Sequence, residues 1–142
     1  MPRIDMSAPR FQILVVEDAE PDVLLVREAL ERSGLDFELH VLDDGEKAVD
    51  FAESLDRDRT APRPHVVLLD LNLPKKSGSQ VLDRLRQSPA CGHIPVVILT
   101  SSDSPKDKAK VGELGATRYF RKPSSLDEFM RLGEVVREVL VS

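Results

Sequence analysis

The feature that most constrains this chain is an alternation. Short, unbroken apolar runs recur between longer stretches in which apolar residues keep helical spacing. The densest runs cover residues 13–16, 66–69 and 96–99. A strand covered by helices on both sides loses the in-and-out alternation of a half-exposed strand and reads as continuously apolar. Such strands alternating with helices are the rhythm of βα units winding a parallel sheet. Five units fit from Phe11 onward, so the expected fold is α/β: a five-stranded parallel sheet with helices on both faces, (βα)5.

Local signals place the elements. Strands are predicted over residues 12–17, 38–42, 66–70, 95–100 and 118–121, the second being more polar and so assigned to the sheet edge. Val23, Val26 and Leu30 recur at helical spacing, and Gly34 is placed to end that helix. A second helix covers 46–55, with Ala48, Val49 and Ala52 inward. Residues 56–64 carry Pro62 and Pro64 among charged side chains and read as an exposed connection. A loop over 71–77 leads past Gly78 into a third helix ending near Gln87. Ser104 and Pro105 supply an N-cap and a favourable first position for a helix running to Leu114, closed by Gly115. Ser125 with Glu128 has the capping-box spacing and predicts one last helix to about Val141. Residues 1–10 read as a flexible N-terminal leader and 11–142 as one domain.

With 142 residues, 41% hydrophobic and 32% charged, the chain has the balance of one soluble domain. A net charge of −5 disfavours nucleic acid, whose counterion-release term needs clustered Lys and Arg. The single cysteine, Cys91, lacks partners for a disulfide or a cysteine metal site, which fits a reducing compartment. No apolar run reaches the roughly 20 residues of a membrane span, and the start lacks the apolar core of a signal peptide. A cytoplasmic location is expected, with no membrane and no nucleic-acid partner.

In an open α/β sheet, ligands bind beyond the carboxyl ends of the strands. The predicted strands end in Glu17 and Asp18, in Asp70, in Thr100 and in Lys122, so these five side chains should converge on one rim. Packed carboxylates repel unless protonated, paired with cations or bound to a metal. Lys122 supplies one cation. All-oxygen ligands with no nearby histidine point to Mg²⁺, for which Mn²⁺ could substitute. An aspartate there can act as a nucleophile toward phosphorus, with metal and lysine neutralising the transferring oxygens and Thr100 donating a hydroxyl hydrogen bond. Any one of these residues alone is an ordinary loop or surface residue; the joint placement is the signal. Asp43 and Asp44 read as solvated or helix-capping residues.

The stretches LVVED (14–18), VVLLDLNLPKKSG (66–78), PVVILTSS (95–102) and YFRKP (119–123) together resemble the response-regulator receiver family, over more than nine-tenths of the chain. The resemblance implies a flavodoxin-like receiver fold with Asp70 as phospho-acceptor. It implies that Asp18 binds Mg²⁺ directly, that Glu17 acts through water, and that the main-chain carbonyl of Asn72 completes the metal site. Thr100 is similar to the hydroxyl residue that moves onto the phosphoryl group, and Lys122 to the phosphate-binding lysine. Tyr119 sits where the family often has an aromatic switch residue; its bland reading is a half-buried strand residue with its hydroxyl in water. The Lys122–Pro123 peptide bond would be cis. Glu17 departs from the aspartate common at that position, and its extra methylene moves the carboxylate outward.

The function so implied is that of a single-domain response regulator of a two-component phosphorelay. A sensor histidine kinase, of phytochrome type by the likeness to small regulators accompanying such kinases, would phosphorylate Asp70 in a Mg²⁺-dependent reaction. Output would be phosphorylation-dependent binding in trans: to another protein, to a histidine phosphotransfer protein, or to an identical subunit through the fifth strand and last helix. Such a chain is no enzyme beyond its own phosphorylation and dephosphorylation. A Mg²⁺-dependent phosphatase fits less well, because it wants an acid/base residue near the nucleophile, often an aspartate two residues on, where this chain has Asn72. A flavodoxin-like electron carrier fits worse, because the acidic segment 17–22 would repel a flavin phosphate.

Overall fold

The computed structural model describes residues 11–141; the expected leader, residues 1–10, lies outside them. Five parallel strands, β1 (Phe11–Val16), β2 (Phe37–Leu42), β3 (Val66–Asp70), β4 (Val96–Thr100) and β5 (Arg118–Arg121), form one sheet in the order β2-β1-β3-β4-β5. Between and after them run α1 (Glu20–Arg32), α2 (Gly45–Arg57), α3 (Gly78–Gln87), α4 (Pro105–Glu113), α5 (Leu126–Phe129) and α6 (Arg131–Val141). This is the expected α/β fold, with the polar second strand at the edge.

The unbroken apolar runs now have a physical reading. Successive side chains of a strand point to opposite faces, so each run divides between two helical layers. Ile13, Val15, Val66, Leu68, Val97 and Leu99 pack with Val26 and Leu30 of α1 and with Phe129, Leu132 and Val136. Leu14, Val16, Val67, Leu69, Val96 and Ile98 pack on the other face with Ala48, Ala52, Val81, Leu82, Leu85 and Val111. At about 25 cal/mol per Å² of apolar surface, burial on both faces makes β1, β3 and β4 the stable centre on which the rim residues are mounted. Phe11 and Val141, at the two ends of the described chain, line one small cavity of about 170 Å³ with Gly34, Leu35, Asp36 and Arg137.

The helix starts follow their caps. Asp44 accepts the Lys47 N–H at 2.7 Å, the capping role that fits its sequence context. Ser104 caps α4 through the Asp107 N–H at 3.3 Å, with Pro105 in the first turn. Ser77 and Gln80 form a reciprocal capping box on α3 that was not anticipated. The loop after β3 is held at both flanks by backbone approach. A Cβ on Gly78 would lie 2.3 Å from the Asp70 carbonyl oxygen, and one on Gly45 2.0 Å from that of Lys76.

Three expectations are corrected. The first strand stops at Val16 and not at Glu17, although the Glu17 N–H still bonds the Leu42 carbonyl at 2.9 Å. The last helix is two segments: the chain tightens at Met130, whose carbonyl takes the Gly133 N–H at 3.2 Å, a three-residue step near a weak helix former. Ser125 caps the first segment through the Glu128 N–H. No cis peptide occurs among the described residues, so the bond before Pro123 is trans, the isomer an X–Pro amide intrinsically prefers by about 0.5–1 kcal/mol.

Candidate functional site

The carboxyl ends of β1, β3, β4 and β5 do meet at one rim. Val16 hands the chain to Glu17, which is 1% exposed, and to the exposed Asp18. Asp70 ends β3, buried at 5%, and Thr100 ends β4, buried completely. Lys122 follows β5, where its N–H continues the ladder to the Thr100 carbonyl at 2.7 Å. Its ammonium group sits among three carboxylates: it donates to Glu17, to Asp22 at 2.8 Å and to Asp70 at 3.0 Å. Five sequence-assigned residues, Glu17, Asp18, Asp70, Thr100 and Lys122, thus gather at strand ends as expected.

Asp22 was missed. Its place was readable: Pro21 marks the first turn of α1, and Asp22 follows in that turn, four residues after Asp18. Reasoning confined to strand ends passed over it because its carboxylate reaches the rim from a helix.

The charges are unbalanced. One ammonium faces Glu17, Asp22 and Asp70, while Asp18 lies beside them; carboxylate oxygens of Glu17, Asp18 and Asp70 fall within 4.8 Å of one another. Burial, reinforced by the neighbouring Asp70 and opposed by Lys122, pushes the Glu17 carboxyl up to about 8. For Asp70, burial works against ionisation, but hydrogen bonding with Glu17, the Asn72 N–H at 2.9 Å and Lys122 outweigh it and hold the carboxyl below its ordinary value. Lys122 is held firmly protonated: burial opposes its charge, and Asp22, Glu17 and Asp70 overcome that. Two close carboxyls are therefore driven apart, one kept as an anion and one drawn toward its neutral form.

Thr100 lies at the start of a tight polar turn. Its hydroxyl accepts the Ser102 N–H at 3.1 Å. Tyr119, half-buried on β5, donates its hydroxyl to the Ser102 carbonyl at 2.8 Å, so that hydroxyl is engaged with protein and not merely solvated. The Lys108 ammonium lies 5.3 Å from the Tyr119 ring centre. Burial raises the phenol above its usual value, against the opposing effects of Ser102 and Thr100. Beside Glu17 and Asp18 opens a groove of about 580 Å³, with Val23, Leu24, Val41 and Leu42 as its apolar walls and Lys47 at its edge.

A parallel (βα)5 sheet presenting an acidic cluster, a buried hydroxyl and a buried lysine at one rim defines a class of protein, and comparison with known families agrees. The model of the response regulator receiver domain matches residues 13–132, and the chain belongs to that family. Response regulator Rcp1 of Synechocystis sp. is 41% identical over 128 residues, which span 90% of this chain and 87% of Rcp1. The probable methanogenesis regulatory protein FilR2 of Methanothrix harundinacea is 36% identical, over 90% of this chain and 82% of its own. Among solved structures, the phosphorylated cyanobacterial phytochrome response regulator RcpA superposes with a TM-score of 0.82 at 32% identity, covering 93% of this chain and 94% of RcpA. The Mn(2+)-bound form of Rcp1 gives 0.79 at 38%, covering 90% and 92%. Among the described residues no helix is long and apolar enough to cross a membrane.

Proposed function

We propose that this chain is a response regulator of a two-component phosphorelay, working in the cytoplasm, that accepts a phosphoryl group on Asp70 from a sensor histidine kinase. The observation that carries this reading is the Lys122 ammonium held between Asp70 and two further carboxylates at the rim. In the proposed step a carboxylate oxygen of Asp70 attacks phosphorus, the bond from phosphorus to the kinase histidine breaks, and the imidazole leaves with that electron pair. An acyl phosphate results. The depressed pKa of Asp70 keeps the nucleophile ionised near neutral pH. Lys122, already charged and 3.0 Å from Asp70, compensates the oxygens of the incoming group without having to be recruited. Thr100 supplies the hydroxyl hydrogen bond to the product.

The donor set fits Mg²⁺, with Mn²⁺ as a substitute: hard oxygens of Glu17, Asp18 and Asp70 close enough to share one ion, in a site with more negative charge than Lys122 neutralises. Asp18 and Asp70 would bind directly, the main-chain carbonyl of Asn72 would complete the set, and Glu17 would act through water. When bound, the ion neutralises charge on the transferring oxygens. Tyr119 is the proposed switch residue, with its hydroxyl on the turn that also holds Thr100.

The proposed donor is a phytochrome-type kinase, by likeness to Rcp1 and RcpA, and the output is phosphorylation-dependent protein binding. A histidine phosphotransfer protein, or a second copy docking through β5 and α6, fits that role. On α6, Leu132, Val136 and Val139 are buried in the chain's own core and Val135 and Leu140 pack partly against it, so a partner there would meet exposed Val141 and the outer sides of those two. The test is incubation with acetyl phosphate with and without Mg²⁺, read by intact mass. A single Mg²⁺-dependent, base-labile phosphorylation absent from Asp70→Asn is expected; an unmodified wild-type chain refutes the reading.

A further inference from the structure

Helix α4 is the most loosely held helix on its face of the sheet, since among its nine residues only Val111 is buried. Few buried apolar contacts allow an element to shift at low cost. What fixes the start of α4 is polar, and it converges on Ser102. The Ser102 hydroxyl donates to the Asp107 carboxylate at 2.9 Å and accepts the Ser104 N–H at 3.1 Å. The same residue's N–H rests on the Thr100 hydroxyl at 3.1 Å, and its carbonyl receives the Tyr119 hydroxyl at 2.8 Å. All of the hydrogen-bonding groups of one residue are thereby committed: two to the active-site hydroxyl and the strand tyrosine, one to the helix.

We propose that Ser102 and Asp107 form a latch that carries a displacement of Thr100 toward a phosphoryl group on Asp70 into helix α4, which makes Asp107 a positioning residue for that helix. The inference rests on Asp70 being the phospho-acceptor. Its physical basis is the shortness of the path. Thr100 cannot move toward Asp70 without lengthening its bond to the Ser102 N–H or drawing the turn with it. If the turn follows, the Ser102 hydroxyl pulls Asp107, in the first turn of α4, with it. Lys108, the next residue of α4, covers the Tyr119 ring, so the helix and the tyrosine respond together. Movement of a lightly packed helix costs less than breaking several hydrogen bonds in a site of low exposure.

The experiment follows hydrogen exchange of amides 105–113 in the full chain before and after phosphorylation by acetyl phosphate with Mg²⁺. Samples are compared at equal phosphorylation, measured by intact mass. Wild type, Ser102→Ala, Asp107→Ala, the double variant and Ser102→Thr are read side by side. The latch predicts that the phosphorylation-induced change in α4 falls about threefold or more in each alanine variant. The double variant loses no more than either single one, because the two residues act through one bond. Ser102→Thr, which keeps the hydroxyl, restores the response, whereas a merely destabilised turn would not be rescued this way. A phosphorylated wild type with no α4 response, alanine variants that respond fully, or additive losses would each overturn the latch. A wild-type chain that takes no phosphate fails the phospho-acceptor reading instead, so the two failures are distinguishable.

Discussion

Two polar clusters tie loops together at opposite ends of the sheet, and they are built on opposite rules. At the carboxyl ends of the strands a single ammonium, Lys122, meets Glu17, Asp22 and Asp70, with Asp18 alongside. At the other end a single carboxylate, Asp56 at the close of α2, meets donors only: the Ser88 hydroxyl at 2.5 Å, the Ala90 N–H at 2.9 Å and Arg84 at 3.3 Å. The Ser88 hydroxyl, then the Ala90 N–H, hold Asp56 below the usual carboxylate range, with Arg84 adding to them. Buried Ser88 in turn accepts the Cys91 N–H at 3.1 Å, so the turn is satisfied in all directions. The Asp56 cluster is at rest. The Lys122 cluster gathers more carboxylates than its one ammonium can balance, and such an imbalance persists only where the surrounding packing over-determines it. A balanced cluster stabilises the fold, and an overcharged one is ready for a further cation.

The contrast is sharpest in phosphorylation chemistry. Lys122→Met should slow modification of Asp70 by acetyl phosphate about 10²–10³-fold, the usual cost of removing a preorganised electrostatic partner. Asp56→Asn should leave that rate unchanged in the same mass-spectrometric assay. Equal slowing in both variants would erase the distinction between the two ends.

Added cation should discriminate next. Mg²⁺ at about 100 times its dissociation constant should raise the unfolding free energy by about 2.7 kcal/mol, measured by urea denaturation with and without EDTA. Asp18→Asn should lose most of that gain. A gain retained in full would place the ion elsewhere. For the satisfied cluster, Ser88→Ala should cost about 1–3 kcal/mol of stability, independent of Mg²⁺, because it strands the buried Cys91 N–H.

The last contrast is a difference in the sign of pH dependence. Asp56 titrates lower folded than unfolded, so its contribution is present above its ordinary pKa of 3.8 and lost as pH falls through the depressed folded value. Asp56→Asn should flatten the acid limb of the stability curve. Glu17 is raised from 4.5 to about 8, so the folded state holds a proton that the unfolded chain releases. Its contribution is full below 4.5 and is lost as pH rises toward 8, and Glu17→Gln should flatten that upper limb in metal-free buffer. Parallel slopes for the two variants would contradict the comparison.

The same contrast explains which features the sequence makes legible. Strands β1, β3 and β4 were legible because burial on both faces forces a continuous apolar run, and β2 because an edge strand tolerates Glu38 and His40. Strand-end residues were legible because a parallel sheet brings every carboxyl end to one rim. Asp22 escaped because a helix delivers it. The Asp56–Ser88 pairing escaped for a different reason: its partners are 32 residues apart and no local pattern marks a carboxylate that caps a distant turn. The division of the last helix at Met130 escaped because its apolar spacing runs on past the tightened step, and the isomer of the bond before Pro123 leaves no periodic trace.

The shared cavity of Phe11 and Val141 has a consequence for protein engineering. With residues 1–10 and Ser142 removed, Phe11 and Val141 would face the same 170 Å³ space and could be joined by a few glycines and serines, which frees the cutting point for another place. The exposed stretch around Pro62 and Arg63 is such a place, on the far side of the sheet edge from the acidic rim. A circularly permuted chain opened there would keep Asp70, Thr100 and Lys122 on unbroken strands while placing new termini where a fluorescent reporter could be attached.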